Sequence, residues 1–169
     1  LRPQFKELDR ICEINSKKVL NAFQESDLQE NHLASSTGYG IDEPGRNKIE
    51  EIYANIFKAE DALVRSQLIS GTHALTVTLF GLLRPGDKML SITGAPYDTL
   101  QTVIGISDDA SKSSLKSFNV DYEQIELINN DFDIQKIKER LSKNDIKLVE
   151  IQKSRGYSTR ESLTNEKIE

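Results

Sequence analysis

Residues 70–99, SGTHALTVTLFGLLRPGDKMLSITGAPYDT, contain a complete helix, a strand and the start of a second helix, and they decide the fold class. The apolar run from Thr72 to Leu83 predicts a helix, which the turn residues at 84–87 end. Lys88 to Thr93 predicts a strand, and a second helix is expected from Tyr97 to Ile104. A strand between two helices is the repeating unit of a sheet with parallel strands.

The same alternation continues on both sides of this stretch. Downstream, strands are predicted over Tyr122–Leu127 and Ile146–Ile151, with a helix over Phe132–Leu141 between them. Upstream, the short apolar run Ala62–Val64 predicts a further strand. The fold class predicted from this pattern is α/β, with a mostly parallel sheet and helices on both faces.

The N-terminal part of the chain is organised differently. Residues 5–25 carry apolar residues at intervals of three and four, which predicts an amphipathic helix with a break near Asn15–Ser16. A polar, glycine-rich loop follows over 26–45, and another helix is expected from Arg46. We therefore predict an N-terminal arm over 1–45 and a larger α/β domain over 46–169.

Composition excludes several classes of function. The net charge of −5 is unlike that of nucleic-acid-binding proteins, which present a basic face. No apolar run reaches the ~18 residues that a membrane helix needs, and no signal peptide is recognisable, so a cytoplasmic protein without a membrane partner is expected. One cysteine and two histidines, with no ligand spacing between them, predict no metal site.

Ser70, Gly71 and Thr72 are the first candidate site residues. They lie where a helix begins, and unpaired N–H groups together with the helix dipole favour a phosphate at that end. The alternative is a simple N-cap, because Ser and Thr are the usual capping residues. From this triplet alone the N-cap is the better interpretation.

Two further groups of candidates come from loops. Tyr97 and Arg155 follow predicted strand ends, where open parallel sheets bind ligands. A Tyr at such a place can stack on a planar ring, and an Arg can bind a carboxylate or another anion. The alternatives are an ordinary aromatic residue and a solvated loop. The glycines of residues 38–46 match neither a phosphate-binding P-loop nor a dinucleotide fingerprint, although Tyr39 and Arg46 could still donate to an anion.

In order along the chain, several strings resemble one family, the pyridoxal-phosphate enzymes of cysteine and methionine metabolism. Within that family, the sequence is most similar to the branch of methionine gamma-lyase-like, aluminium-resistance proteins. The strings that carry the resemblance are Thr37-Gly38-Tyr39-Gly40, Ser70-Gly71-Thr72-His73-Ala74, Leu82-Leu83-Arg84-Pro85-Gly86-Asp87, Tyr97-Asp98-Thr99 and Ser154-Arg155-Gly156-Tyr157-Ser158-Thr159-Arg160.

The resemblance implies the large domain of a fold type I pyridoxal-phosphate enzyme and a role for each candidate. Ser70, Gly71 and Thr72 would bind the cofactor phosphate, and Tyr97 would stack on the pyridine ring and assist proton transfer as the catalytic residue. In the homo-oligomer that the family forms, Tyr39 would reach a neighbouring subunit's cofactor. The family has an Arg two residues after this Tyr, where this chain has Ile41, and Arg46 is the candidate substitute. Arg155 would contact the ring hydroxyl or the substrate carboxylate.

The reaction implied is elimination of a thiol from a sulfur-containing amino acid by a carbon–sulfur lyase. The family's Schiff-base lysine and its pyridine-pairing aspartate match no position in these 169 residues. We therefore expect the chain to be an N-terminal fragment that is inactive alone. We also expect it to bind pyridoxal phosphate weakly or not at all. Two alternatives stay open: a gamma-synthase-type transferase on the same scaffold, and a non-catalytic pseudogene product or regulatory fragment.

Overall fold

The computed structural model describes residues 2–108, 110 and 112–169, and these form two compact units. The units are Leu1–Ile69 and Ser70–Glu169. This division falls at a different point from the predicted boundary at 45/46. The reason is that the helix following residue 43 packs on the N-terminal helix, so it belongs with the N-terminal unit.

The first unit is helical. Helix α1 spans Pro3–Glu25, a 3-10 turn spans Glu30–Leu33, and α2 spans Pro44–Phe57. The predicted break near Asn15–Ser16 is wrong, because α1 is continuous through these residues. The side-chain amide of Asn15 donates to the Ile11 carbonyl at 3.0 Å, so this polar residue bonds to its own helix without interrupting it.

The predicted strand at Ala62–Val64 is also wrong. These residues pair with none of the described strands. The Val64 N–H donates to the Glu50 carboxylate at 2.9 Å, and the Ala62 N–H donates to Asp61 at 2.7 Å. Side-chain acceptors therefore satisfy backbone groups that a neighbouring strand would otherwise satisfy.

The second unit has the predicted alternation of strands and helices. Its elements are α3 (Gly71–Leu82), β1 (Lys88–Ser91), α4 (Asp98–Ile104), a 3-10 turn (Lys116–Phe118), β2 (Asp121–Gln124), α5 (Ile134–Leu141), β3 (Leu148–Glu150) and α6 (Asn165–Ile168). The strands are shorter than predicted because the apolar residues at their ends continue into loops that cover the core. Ile92 and Ile125, for example, are buried one residue beyond a strand.

The three described strands form one parallel sheet in the order β2-β1-β3. Met89 on β1 is aligned with Tyr122 on one side and with Leu148 on the other. The α/β class with parallel pairing is therefore confirmed. Because β1 is central, the loops that follow β1 and β3 leave the sheet side by side.

Successive residues of β1 bury their side chains on opposite faces of the sheet. Met89 lies in a core with Leu79 of α3 and Leu100 of α4. Leu90 lies in a second core with Ile137 of α5. The predicted arrangement of helices on both faces is thus confirmed, and it leaves the carboxyl ends of the strands open for a site.

Candidate functional site

The N-terminus of α3 contains the three contiguous candidate residues Ser70, Gly71 and Thr72. Ser70 is the N-cap, and its hydroxyl oxygen accepts from the His73 N–H at 3.1 Å. The first N–H groups of a helix have no acceptor within the helix, so those of Gly71 and Thr72 stay available to a ligand. A Cβ at Gly71 would meet no protein atom within 4 Å. Protein packing therefore does not require glycine here, and the space is open to a group that approaches the backbone.

A cluster of hydroxyl groups surrounds this helix end. The Thr72 Oγ1 lies 3.0 Å from the Thr99 Oγ1 and 3.4 Å from the Tyr97 hydroxyl. Tyr97 is the residue before α4, on the loop that follows β1, and it is half-buried. The fold therefore brings together Ser70, Gly71, Thr72 and Tyr97, four of the predicted site residues. This arrangement can hold a phosphate next to an aromatic ring.

Gln152, two residues after the end of β3, was not among the predicted site residues. Its side-chain oxygen accepts from the Tyr97 N–H at 2.8 Å, and its own N–H donates to the Thr93 hydroxyl at 3.0 Å. It thereby joins the loop after β1 to the loop after β3. Its place just beyond a strand end was the only signal in the sequence, and that signal did not separate it from its polar neighbours.

Arg155 lies in the same region of the second unit. Together with Tyr97, Gln152, Gly156 and Tyr157 it lines an open cleft of about 240 Å³. Gly156 has a φ of +56°, and a Cβ there would lie 3.2 Å from the Gln152 amide nitrogen, so glycine suits both the backbone conformation and the close approach. Among the described residues the Arg155 guanidinium makes no ion pair, which leaves it able to bind an anion in the cleft.

Arg160 has a different role from Arg155. Its guanidinium donates to the carbonyls of Gln152 at 3.0 Å and Ser154 at 2.6 Å. Both acceptors belong to the loop after β3. Arg160 therefore holds the backbone around the cleft, and these bonds compete with binding of a ligand.

Of the two predicted residues of the first unit, Tyr39 lies on the loop before α2 and Arg46 lies within α2. Tyr39 is 82% exposed, so its ring is available to another molecule. Arg46, in the first turn of α2, donates to the carbonyls of Gly40 at 2.8 Å and Ile41 at 3.0 Å. Those contacts use Arg46 to shape the loop, and its predicted role towards a phosphate stays a prediction.

Glu43 organises this loop from inside. Only 5% of the residue is exposed, and its carboxylate accepts from the Gly40 N–H at 2.8 Å and from the hydroxyls of Ser36 and Thr37, both at 3.1 Å. The Gly40 N–H, followed by these hydroxyls and the charge of Arg46, holds the pKa of the carboxyl below its usual value. The sequence did not mark Glu43 because its partners come together only when the loop folds back.

A second carboxyl with a shifted pKa lies under the carboxyl end of the sheet. The Ser91 Oγ is 2.7 Å from both the Gly94 carbonyl and the Glu150 carboxyl. Burial raises the pKa of Glu150, and burial together with the Glu150 charge raises the pKa of Tyr122. The hydrogen bond that Ser91 donates to the Glu150 carboxylate opposes part of this rise in the pKa of Glu150.

Two kinds of feature are absent from the part of the chain that the structure describes: a cluster of metal ligands and a membrane-spanning helix. Within it, no three His, Cys, Asp or Glu side chains are grouped as ligands for a metal ion. No helix in the described ranges combines the length and the apolar character required to cross a bilayer.

Comparison with known proteins places this chain in a family. The family model for methionine gamma-lyase matches residues 1–169. A structure of a carbon–sulfur lyase involved in aluminium resistance from Clostridium novyi NT is 45% identical, with a TM-score of 0.92 over 99% of this chain and 40% of that chain. A structure from Clostridium acetobutylicum, provisionally assigned as a cystathionine beta-lyase involved in aluminium resistance, is also 45% identical, with a TM-score of 0.94 over the same shares of the two chains.

A curated relative is the uncharacterized protein YnbB of Bacillus subtilis (strain 168). It is 40% identical over 159 residues, which are 94% of this chain and 38% of the relative. The chain therefore spans about two-fifths of the length of the proteins it matches. The match over all 169 residues, and the agreement in fold, show that this chain belongs to the methionine gamma-lyase family.

Proposed function

We propose that the chain forms the phosphate-binding and ring-binding part of a fold type I, pyridoxal-phosphate-dependent carbon–sulfur lyase. The observation that carries this proposal is the meeting of the Thr72 and Tyr97 hydroxyls, at 3.4 Å, over the N-terminus of α3. Family membership supports the reaction class. The substrate would be a sulfur-containing amino acid, and the products would be a thiol, ammonia and a 2-oxo acid.

The donors at this helix end fit the phosphate of the cofactor. The N–H groups of Gly71 and Thr72 point out of the helix, where the dipole supplies partial positive charge. The hydroxyls of Thr72 and Thr99, 3.0 Å apart, can donate to two different phosphate oxygens. Ser70 holds the first turn in shape through its bond to His73.

Tyr97 would act on the ring side of the phosphate. Its position beside Thr72 allows the aromatic ring to cover a planar heterocycle whose phosphate lies at the helix end. When bound, pyridoxal phosphate supplies an electron sink for the substrate's α-carbon, and this allows a thiol to leave from the side chain. The Tyr97 hydroxyl would give the departing sulfur its proton. Arg155, in the adjoining cleft, would bind the ring hydroxyl or the substrate carboxylate.

Tyr39 would serve a site on a different subunit. Its exposure on a loop held by Glu43 and Arg46 supports that role, because the ring projects from a fixed base. Arg46 would add positive charge behind Tyr39. The oligomer required for this role is part of the proposal.

These 169 residues would not complete a lyase alone. No lysine is among the residues that line the cleft. Lys153, the lysine of the loop after β3, donates its ammonium group to the Asn165 side chain. Binding of pyridoxal phosphate to this chain would therefore be weak and non-covalent, without turnover.

The test is a titration of the ¹⁵N-labelled chain with pyridoxal phosphate, and separately with pyridoxal, followed by the amide resonances. Pyridoxal phosphate is expected to shift the Gly71 and Thr72 amides, whereas pyridoxal, which lacks the phosphate, leaves them in place. Thr72→Val removes the hydroxyl with little change of volume and should weaken binding tenfold or more, since a hydrogen bond to a charged group contributes ~1.5–3 kcal/mol.

Thr78→Val is the matched control. Thr78 lies on the same helix, and its hydroxyl donates to the Ala74 carbonyl at 2.9 Å, away from the helix end. The Thr78→Val variant should therefore bind pyridoxal phosphate like the unmodified chain. Shifts that avoid Gly71 and Thr72, or that are equal in the two valine variants, would refute the phosphate site. A stoichiometric borohydride-reduced adduct on one lysine would refute non-covalent binding.

A further inference from the structure

The loop that carries Tyr97 leaves β1 through a buried turn. Gly94 forms this turn with a φ of +80°. Its N–H donates to the Ile125 carbonyl at 2.9 Å, and its carbonyl accepts from the Ser91 hydroxyl at 2.7 Å. Ser91 and Gly94 are both buried, so water does not readily replace the hydroxyl as donor. The turn therefore depends on where the Ser91 proton points.

The Ser91 hydroxyl has two acceptors within reach. Its oxygen also lies 2.7 Å from Glu150 Oε2, and Glu150 is the residue of β3 aligned with Ser91 in the sheet. A hydroxyl donates one proton and accepts through two lone pairs. A charged carboxylate is a stronger acceptor than a neutral carbonyl, so an ionised Glu150 draws the proton away from Gly94. A neutral carboxyl can instead donate to Ser91, which leaves the Ser91 proton for Gly94.

We propose that Glu150 is a positioning residue for Tyr97, and that its protonation selects the acceptor of the Ser91 hydroxyl. In the neutral state Ser91 donates to the Gly94 carbonyl, and the turn before Tyr97 is fixed. In the ionised state the Gly94 carbonyl loses its donor, and the turn loosens. The part that Tyr97 plays in catalysis rests on the proposed function, whereas the exchange of hydrogen bonds is a property of the second unit alone.

The short path from Gly94 to Tyr97 is stiff. Pro96 is less than 2% exposed, and its ring fixes the backbone φ. The Pro96 carbonyl accepts from the Gln101 side chain of α4 at 2.6 Å, and the Tyr97 N–H donates to Gln152 at 2.8 Å. A movement of the Gly94 peptide is therefore passed on to the Tyr97 amide.

Glu150 carries no counter-charge of its own. The carboxyl is half-buried, no described basic side chain acts on it, and burial raises its pKa. Tyr122 of β2 is a titratable group beside it, and the Tyr122 hydroxyl donates to Gln124 at 2.9 Å. Burial and the charge of Glu150 raise the pKa of Tyr122, so this phenol stays neutral while Glu150 titrates.

A second carboxylate, Glu126, lies near the same turn. It contacts Gly94 closely enough that a Cβ there would collide with it, and its charge also acts on Tyr122. Its carboxylate is exposed and accepts from the Gln124 amide at 2.6 Å. On the helix side, the core residues of α3 and α4 are apolar, and Tyr97 is the titratable residue packed against them. Glu126 thus contributes charge near the turn without the bond to Ser91, which makes it the matched control.

The test follows the ¹³C- and ¹⁵N-labelled chain by NMR over roughly pH 4–8, without pyridoxal phosphate. The Gly94 carbonyl carbon reports its own hydrogen bond, and the Glu150 carboxyl carbon reports ionisation. Both should titrate with one midpoint, above the ordinary carboxyl value of 4.5. The protection factor of the Tyr97 amide, which is corrected for the intrinsic pH dependence of exchange, should fall roughly threefold or more across that midpoint.

Three variants separate the hydrogen bond from the charge. Glu150→Gln cannot ionise and should keep the Gly94 carbonyl near its low-pH position throughout. Ser91→Ala removes the shared hydroxyl and should keep it near its high-pH position. Glu126→Gln should leave the titration and its midpoint nearly unchanged. Circular dichroism checks that each variant keeps the fold; if Ser91→Ala does not, the two glutamine variants decide.

A Gly94 carbonyl that does not titrate in the unmodified chain, or that has a midpoint at or below 4.5, would overturn the proposal. A titration that persists in Glu150→Gln, or that disappears in Glu126→Gln, would overturn it as well. Because the spectra are recorded without the cofactor, these outcomes are independent of whether the N-terminus of α3 binds a phosphate.

Discussion

Gly45 lies where two backbones meet, and replacing it with alanine perturbs the first unit in a defined way. It is in the first turn of α2, against the 3-10 turn that contains His32. A Cβ at this position would lie 2.4 Å from the His32 carbonyl oxygen, whereas real Cβ atoms stay beyond 3.0 Å. The obstacle is backbone, so the clash is relieved only if α2 and the 3-10 turn move apart.

The magnitude follows from two opposing effects. Forcing an extra carbon into a filled space costs about 1–3 kcal/mol. Alanine is a better helix former than glycine and stabilises a helix by up to ~1 kcal/mol, although by less near a helix end. We therefore expect Gly45→Ala to destabilise the first unit by about 1–2 kcal/mol, which corresponds to a roughly 5- to 30-fold change in its opening equilibrium.

Native-state hydrogen exchange is the suitable assay because it reports the two units separately. Protection of the α2 amides should fall by that factor, while protection of the α3 amides in the second unit stays constant. Gly81→Ala is the control: it is the same substitution within α3, where a Cβ would meet no protein atom within 4 Å. Its effect should be stabilising, by about 0.5–1 kcal/mol.

Two results would refute this reasoning. Unchanged protection of α2 in Gly45→Ala would mean that the 3-10 turn adapts without cost. An equal loss in Gly81→Ala would mean that alanine acts through something other than the close contact at His32.

Two further predictions concern the second unit. The Glu123 carboxylate accepts from Arg140, which lowers its pKa to about 2, so its contribution to stability is present above pH 4.5 and is lost as the pH falls towards 2. Because the side chain is 39% exposed, we expect Glu123→Gln to lower the free energy of unfolding by only about 1 kcal/mol at pH 7, and by nothing near pH 2, in urea titrations. An equal loss at both pH values would contradict this. Gln152→Ala removes the acceptor of the Tyr97 N–H and should speed hydrogen exchange of that amide about fivefold. Gln152→Glu keeps an acceptor and should keep most of the protection. Unchanged exchange in the alanine variant would show that the hydrogen bond is dispensable.

The candidate site was predictable where it depends on neighbours in sequence. Ser70, Gly71 and Thr72 are contiguous, and an N-cap followed by a helix is a local pattern, so the helix end was found in the right place. Tyr97 was found because a strand end precedes it. Gln152 and Glu43 were missed, because each acts through partners that only folding brings close: Gln152 contacts Tyr97, 55 positions away, and Glu43 bonds to a loop that turns back on it.

For the fold, the sequence by itself determined the alternation of helices and strands after residue 70, because the periodicity of apolar residues and the turn residues are local properties. Tertiary structure alone decided that β1 is the central strand, since strand order depends on pairing between distant segments. It also decided that Ala62–Val64 is not a strand, because the acceptor of the Val64 N–H is a side chain on α2. Apolar character predicts that a segment is covered, whereas the partner that covers it is selected by contacts across the whole chain.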